Sequence, residues 1–292
     1  MGRVGIWLGV AALHPAELMR REAALIEELG FGAIWYGEAV AREAFALGAI
    51  LLGATRQITV ASGIANIWVR DAAAMTNGAR ALAEAWPDRF VLGIGVSHPP
   101  LVNRRGHRYE QPLTAMREYL DAMERAPYTA PAPAEPAPVV LAALGPKMLE
   151  LARERSAGAH PYFVTVEHTK RAREILRKEK FLAPEQAVVL APDRQSARPV
   201  GDRYMKTYLA LDNYRNNLLR LGWPETDLKA PGSDALFDAL VGYGPIDRIR
   251  KRVEEHLAAG ADHVAVSILM PTPTEPIEGA LRHLADGVLR RL

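Results

Sequence analysis

The chain contains no cysteine. This absence excludes a disulfide framework, a thiolate metal site and a cysteine nucleophile, and it is typical of proteins from a reducing compartment. Redox chemistry, if the protein performs any, therefore requires a bound cofactor.

Long apolar runs are absent as well. No run reaches the roughly 18 residues that a membrane helix requires. The stretch from Val4 to Leu13 follows Arg3 and superficially resembles a signal peptide, but Gly5 and Gly9 interrupt it, and it is better interpreted as a first buried strand. We expect a soluble, cytoplasmic protein with no membrane partner.

Charge of one sign is not in large excess, because the formal net charge is only +2 over 292 residues. Acidic and basic residues alternate on helix faces, and no basic stripe is interleaved with aromatic residues, so a nucleic-acid partner is not expected. The eight histidines show no metal-ligand spacing such as H-E-x-x-H, and no metal site is predicted. The G-x-S-x-G motif of serine hydrolases is also missing.

Strand-like and helical patterns alternate along the chain. Alternation of this kind predicts a parallel sheet, because each helical crossover returns the chain to the same direction. The predicted strands are Val4 to Leu8, Ala33 to Tyr36, Ile58 to Ala61, Phe90 to Ile94, Val139 to Ala142, His160 to Val164, Gln186 to Leu190 and His263 to Leu269. The predicted helices are Ala16 to Leu29, Glu43 to Leu52, Ala72 to Ala85, Pro112 to Arg125, Lys147 to Ser156 and His168 to Lys178.

Eight strands in a chain of this length favour a closed (β/α)8 TIM barrel over an open doubly wound sheet. The doubly wound alternative is weak because no strand leads into a G-x-G-x-x-G loop. The segment from about residue 191 to 260 contains several helical stretches where a plain barrel needs one. We predict one domain over residues 1–292, with a helical insertion between strands seven and eight that covers the mouth of the barrel.

In a barrel the carboxyl ends of the strands converge on one mouth, where the active site lies. Small residues dominate these ends, which leaves room for a flat ligand, although tight turns alone also select glycine. The residues at these ends are Gly37 and Glu38 after strand two, Gly63 to Asn66 after strand three, Ser97 and His98 after strand four, Leu144 to Lys147 after strand five, and Pro161 and Tyr162 in or after strand six.

The tripeptide Gly145-Pro146-Lys147 suggests an anion site. A glycine turn, a proline at the first helical position and a lysine present backbone N–H groups and a cation to a phosphate. The alternative is an ordinary helix start. The position at a strand end favours phosphate.

His98 and Glu38 are the candidate titratable groups of the mouth. His98 lies in a loop where imidazole could exchange protons near neutral pH, or it could be a plain hydrogen-bonding residue. Glu38 could be an acid, a base, an acceptor for a ring N–H or a helix cap. The loop from Asn103 to Arg108 is basic and would attract an anionic tail if it lies at the mouth.

Four motifs in order resemble the luciferase-like monooxygenase superfamily, and within it the coenzyme F420-dependent oxidoreductases. They are GFGAIWYGEAV, TVASGIANIWVRDAAAM, RFVLGIGVSHPP and LAALGPKMLELA. The resemblance covers nearly the whole chain and implies a bacterial luciferase-like barrel that holds a deazaflavin ring at its mouth. FMN is the alternative cofactor, because other members use it. The resemblance also implies a homodimer.

The resemblance assigns roles to several residues. It implies a non-proline cis peptide at Gly63-Ile64 beside the ring, a ring contact at Asn66, and a phosphate site at Gly145, Pro146 and Lys147. We also expect Ser97 to bind the cofactor. Glu38 matches an acidic or polar position beside the cofactor, and His98 matches a catalytic acid of the family's sugar-phosphate dehydrogenases. Those enzymes have a histidine where this chain has Ala39, so a different substrate is expected, with His98 as the proton donor or acceptor.

Three functions remain open from the sequence. The first is an oxidoreductase that transfers a hydride between coenzyme F420 and a small organic substrate. The second is an FMN-dependent monooxygenase supplied with reduced flavin by a separate reductase. The third is a non-catalytic flavin-binding or deazaflavin-binding protein, which the departure at Ala39 keeps open.

Overall fold

The computed structural model describes residues 1–9 and 13–292, so residues 10–12 of the predicted first segment lie outside it. The strands are β1 (Val4–Trp7), β2 (Ala33–Tyr36), β3 (Thr59–Ser62), β4 (Ala65–Asn66), β5 (Phe90–Gly95), β6 (Val139–Leu141), β7 (Gly158–Ala159), β8 (Phe181–Leu182), β9 (Glu185–Val188), β10 (Val241–Gly242) and β11 (Val264–Ile268). The helices are α1 (Ala16–Glu28), α2 (Ala44–Gly53), α3 (Ala72–Ala85), α4 (Pro99–Arg104), α5 (Pro112–Glu124), α6 (Pro146–Arg155), α7 (Val166–Leu176), α8 (Arg194–Leu209), α9 (Asp212–Arg220), α10 (Asp234–Leu240), α11 (Ile246–Ala258) and α12 (Glu278–Gly287).

The predicted (β/α)8 barrel is confirmed. Every strand pairing is parallel, and the order runs β9, β11, β1, β2, β3, β5, β6, β7, β8. The sheet closes through residues 181–188. Strand β8 pairs with β7 on one side, and β9, which only two residues separate from β8, pairs with β11 on the other side. Closure brings the carboxyl ends of all these strands to one mouth.

Core packing follows the barrel layers. A large apolar cluster lies between the strands and the surrounding helices, and a smaller cluster, which includes Ala33, Trp35, Ala61 and Ala265, fills the barrel interior. Among the described residues, none of the helices is both long and apolar enough to span a membrane.

The predicted helices agree closely with the structure. Helix α3 spans Ala72–Ala85 as predicted, and the Asp71 side chain caps it by accepting a hydrogen bond from the Ala74 N–H at 2.8 Å. Helix α7 ends at Leu176 rather than Lys178, because Arg177 adopts a positive φ of 65° that ends the helical hydrogen bonding. Between β9 and β11 lie α8, α9, α10, the short strand β10 and α11.

Two predictions near the mouth were wrong. Residues 160–164 are not strand six, because β7 ends at Ala159, Pro161 lacks a backbone N–H, and Phe163 has a positive φ of 55°. His160 therefore lies just beyond the strand, at the mouth. The segment after His98 is not all loop either, since Pro99–Arg104 forms α4, with a proline at its first turn.

Glycines in β5 make room for the segment that follows β3. The Gly63–Ile64 peptide is cis, as the resemblance implies. A Cβ on Gly93 would lie 1.9 Å from the Ser62 carbonyl oxygen, and a Cβ on Gly95 would lie 2.7 Å from Ile64 Cγ1. The Ile64 side chain thus occupies space that only a glycine at position 95 leaves free.

We predict that Gly95→Ala lowers the free energy of unfolding by about 1–3 kcal/mol, the usual cost of overpacking a filled site. The added methyl would meet both Ile64 and Ala142, whose Cβ lies 3.0 Å from it. Gly53→Ala, at the end of α2, is the matched control because nothing lies within 4 Å of its Cβ position. Urea denaturation of the wild type and both variants tests the prediction. If Gly95→Ala were as stable as the wild type, the Ile64 side chain could move aside at no cost, which would contradict the prediction.

Candidate active site

A cavity of about 500 Å³ opens at the carboxyl ends of the strands, within the size range of ligand sites. Its lining consists of Trp7 at the end of β1, residues of the segments that follow β2, β3, β5, β6 and β7, and residues of the segment from Thr207 on α8 to Arg220 on α9. Of the sequence-predicted site residues, the lining includes Glu38, Gly63, Ile64, Ser97, His98 and Gly145. It does not include Asn66, Pro146 or Lys147.

Glu38 is a fully engaged carboxylate. Its side chain is 3% exposed, and its oxygens accept hydrogen bonds from the Ala44 N–H at 2.9 Å, the Asn66 N–H at 2.8 Å and both terminal nitrogens of Arg70. Arg70 is also paired with Glu43 at 2.7 Å. With four donors already on its two oxygens, Glu38 is better suited to fix the loops after β2 and β3 than to transfer protons.

Asn66 belongs to the same structural unit. It is 1% exposed, its N–H donates to Glu38, and its side-chain oxygen accepts from the Trp68 N–H at 3.0 Å. Its predicted ring contact stays a prediction.

His98 faces the cavity from the start of α4, directly after Ser97, whose φ is 58°. Its Nδ1 lies 3.2 Å from the side-chain oxygen of Asn213 on α9. With the amide oriented this way, Nδ1 donates and Nε2 keeps its lone pair. Burial lowers the pKa of His98 below its ordinary value, although the contact with Asn213 partly opposes this shift. The ring is therefore neutral at pH 7.

Two further polar groups, Trp7 and His160, lie in the cavity lining and were missed by sequence reasoning. In the sequence, Trp7 is one apolar residue of the predicted first strand, and His160 is the first residue of the predicted sixth strand, so neither residue stands out as part of a site. Their nitrogens Trp7 Nε1 and His160 Nε2 are buried and have no hydrogen-bond partner among the described residues. Burial lowers the pKa of His160 to about 4, so its ring is neutral.

The residues of the predicted anion site lie at the start of α6, and their binding of a phosphate stays a prediction. Gly145 precedes the helix and has no side-chain cap, while Pro146 and Lys147 are exposed. Arg220, at the end of α9, lies beside it, since a Cβ on Gly145 would be 3.4 Å from Arg220 Nη2. Within residues 1–9 and 13–292 the Arg220 guanidinium has no hydrogen-bond acceptor and no acidic partner, and it lines the cavity. No motif marks Arg220, because its proximity to α6 arises only from folding.

The predicted basic loop, residues 103–108, begins in the last turn of α4 and lies on the surface. Arg104, Arg105 and Arg108 are exposed, and Arg105 donates to the Ala39 carbonyl oxygen at 3.0 Å. Ala39 itself lines the cavity. The loop thus lies near the entrance, and its contact with an anionic tail stays a prediction.

An aromatic cluster forms the wall opposite the barrel. Tyr208 on α8 donates to the Tyr162 hydroxyl at 3.1 Å, and Tyr204 packs against both of them. The Tyr204 hydroxyl donates to Glu185 on β9 at 3.0 Å, and the Phe163 N–H reaches the same carboxyl at 3.3 Å. Burial raises the pKa of Glu185 to about 8, despite these hydrogen bonds, which lower it.

The raised pKa of Glu185 predicts how stability depends on pH. Between its ordinary value and about pH 8 the native state holds a proton that the unfolded chain releases, so the free energy of unfolding falls as pH rises. Four buried histidines, His160, His168, His256 and His263, have lowered pKa values and act in the opposite direction, but only below about pH 6.5. Between pH 6.5 and 8 we expect the free energy of unfolding of the wild type to fall by roughly 1–2 kcal/mol because of Glu185, and we expect this decrease to be absent in Glu185→Gln.

Urea denaturation at several pH values in that window measures this difference. Glu17→Gln, at an exposed position of α1, is the control and should leave the pH dependence of the wild type intact. Identical slopes for the wild type and Glu185→Gln would contradict a raised pKa at Glu185.

Comparison with known proteins gives a family match. A model of the luciferase-like monooxygenase family matches residues 2–263. A Mycobacterium tuberculosis protein named "Putative coenzyme F420-dependent oxidoreductase Rv3520c" is 25% identical, over 91% of this chain and 94% of its own length.

Solved structures share the fold. The coenzyme F420-dependent tetrahydromethanopterin reductase of Methanopyrus kandleri superposes with a TM-score of 0.74 at 15% identity, covering 100% of this chain and 98% of that one. The oxygenating constituent of 3,6-diketocamphane monooxygenase from Pseudomonas putida, in complex with FMN, gives a TM-score of 0.72 at 16% identity, covering 95% and 93%. At these identities the likeness establishes the fold.

Proposed function

The chain belongs to the luciferase-like monooxygenase family, and from that premise we propose that it is an oxidoreductase that transfers a hydride between coenzyme F420 and a small organic substrate. The observation that carries the proposal is the cavity itself. It lies at the barrel mouth beside Gly63 and Ile64, and it is lined by unpartnered polar atoms and small residues. The name of the Mycobacterium tuberculosis relative, which matches along nearly its whole length, supports F420 as the cofactor.

The residues present fit a flat ring with a phosphate-bearing tail. Gly37, Gly63, Ala142 and Ala143 contribute little side-chain bulk to the lining, so a planar group can lie close to the backbone. Arg220 and the amino end of α6 supply a cation and free N–H groups for a phosphate, in place of the exposed Lys147. A deazaflavin bound here would supply the carbon that accepts or donates the hydride.

In this proposal His98 moves the proton that accompanies hydride transfer. Its neutral ring offers Nε2 to a substrate hydroxyl, while Asn213 holds Nδ1 and fixes the ring orientation. Glu38 positions the loops that carry Ala39 and Ile64, through its bonds to the Asn66 N–H and Arg70. Neither residue needs a metal ion for these roles.

The proposed function is tested by fluorescence titration of the purified protein with F420, with its phosphate-free deazaflavin core and with FMN. We expect saturable binding of F420, weaker binding of the core because it lacks the phosphate partner of Arg220, and weaker binding of FMN than of F420. Preference for FMN would favour the reductase-supplied monooxygenase instead. Binding of none of the three would contradict a redox function.

We predict that His98→Ala lowers turnover by about 10²-fold to 10⁴-fold, the range for loss of a general acid or base, and leaves F420 affinity within a factor of two or three. The assay is F420 reduction with a panel of small alcohols, followed by absorbance. Because the pKa of His98 is lowered, the wild-type rate of alcohol oxidation should persist to more acidic pH than an ordinary imidazole allows.

Asn213→Ala provides the companion variant. It removes the contact that raises the pKa of His98, so the acidic limb of the rate profile should move to still lower pH. Turnover of His98→Ala equal to that of the wild type would assign proton transfer to another group, and binding without turnover of any substrate by the wild type would support the non-catalytic alternative.

A further inference from the structure

The floor of the cavity carries a fixed hydrogen-bond acceptor, His160 Nε2. The Nδ1 atom of His160 lies 2.7 Å from the Ala183 carbonyl oxygen, which can only accept, so Nδ1 carries the hydrogen. The ring stacks on Trp35 at a centroid distance of 4.2 Å and an interplanar angle of 15°. Both the tautomer and the orientation of His160 are therefore set by the barrel, and Nε2 is left with a lone pair.

A fixed donor lies beside this acceptor. The Trp7 indole N–H can only donate, and among the described residues it has no acceptor. A Cβ on Gly63 would lie 2.8 Å from His160 Nε2 and 3.0 Å from Trp7 Nε1. The two nitrogens are therefore no more than about 6 Å apart, and position 63 must be glycine to leave them uncovered.

Among the described residues, seven buried side-chain atoms have no hydrogen-bond partner, and each costs free energy unless a ligand or water satisfies it. Trp7 Nε1 and His160 Nε2 are the two that belong to residues lining the cavity. Here one is a donor and the other an acceptor, and both line the cavity. The group that satisfies them must offer an acceptor and a donor side by side. Since neither nitrogen is charged, the site favours an uncharged group.

We propose that Trp7 and His160 bind the edge of the cofactor's pyrimidinedione ring, where the carbonyl oxygen accepts from Trp7 Nε1 and the adjacent ring N3–H donates to His160 Nε2. This inference rests on the proposed function and assigns one end of the ring to the cavity floor. The N–H and C=O bonds of such an edge diverge by about 60°, so partners at about 2.9 Å lie roughly 5 Å apart. That spacing is compatible with the limit set by Gly63.

The test compares the deazaflavin core of F420 with its N3-methyl derivative, which has lost the N3–H, by fluorescence titration. Wild-type protein should bind the methylated core about tenfold more weakly, the effect of one lost hydrogen bond to a buried group. His160→Asn keeps a donor for the Ala183 carbonyl oxygen but has no atom at Nε2, so it should bind both ligands with equal, reduced affinity.

Two companion variants sharpen the assignment. His160→Gln places its amide at the Nε2 position and should restore part of the preference for the unmethylated core. Trp7→Phe removes the N–H donor and keeps an aromatic side chain. It should weaken the binding of both ligands by a similar factor and keep the preference for the unmethylated core. Circular dichroism and thermal melts confirm that each variant is folded.

Each alternative outcome overturns a different statement. Tight binding without any effect of methylation would overturn the assignment of His160 to the ring edge and point to a substrate hydroxyl at this floor. Equal discrimination by the wild type and His160→Asn would show that the methyl group clashes elsewhere, which also overturns it. Failure of the wild type to bind either core or intact F420 would instead overturn the proposed function.

Discussion

The ion pair between Glu38 and Arg70 is the interaction on which the cavity depends. Both side chains are buried, at 3% and 9% exposure, and the carboxylate also binds the N–H groups of Ala44 and Asn66. One side chain thus joins the end of β2, the start of α2 and the segment after β3. Removing one partner of such a pair leaves a buried charge without compensation, which typically costs 3–5 kcal/mol. The same geometry explains why a carboxylate at the mouth of the barrel holds the surrounding loops in place.

A series of contacts between aromatic and imidazole rings runs along the barrel interior. His263 donates from Nδ1 to the Gly2 carbonyl oxygen and accepts from the Trp35 indole N–H at 3.0 Å. Trp35 in turn stacks on His160. The contact with His263 thus fixes the position of the indole ring on which His160 stacks, while the lone pair at His160 Nε2 follows from the contact of Nδ1 with the Ala183 carbonyl oxygen. Burial keeps the rings of both histidines neutral, with pKa values lowered to about 4.

The sequence was sufficient for the features that local patterns determine. Alternating strands and helices predicted the parallel barrel, Asp71 marked the start of α3, and Gly63–Ile64 was placed correctly as a cis peptide through the family resemblance. Residues whose role depends on contacts with residues far away in the sequence could not be predicted. The acceptor at His160 exists because Ala183 occupies Nδ1, and Arg220 approaches Gly145 from a helix 75 positions later in the chain. Neither relation leaves a periodic or spaced signal, so only the folded arrangement reveals it.

Two parts of the chain line the cavity, the barrel on one side and the segment between β9 and β11 on the other. The barrel contributes a polar floor of fixed donors and acceptors, which suits a constant ligand such as a cofactor. The segment from α8 to α9 contributes the rings of Tyr208 and Tyr214 and the side chain of Leu211, together with the polar side chains of Thr207, Asn213, Asn216 and Arg220. Glu185 links the two parts, because it stands on β9 and accepts from Tyr204 of α8. Where a sugar-phosphate dehydrogenase of the family has a histidine, this chain has Ala39, so the polar chemistry offered to the substrate is limited on that side.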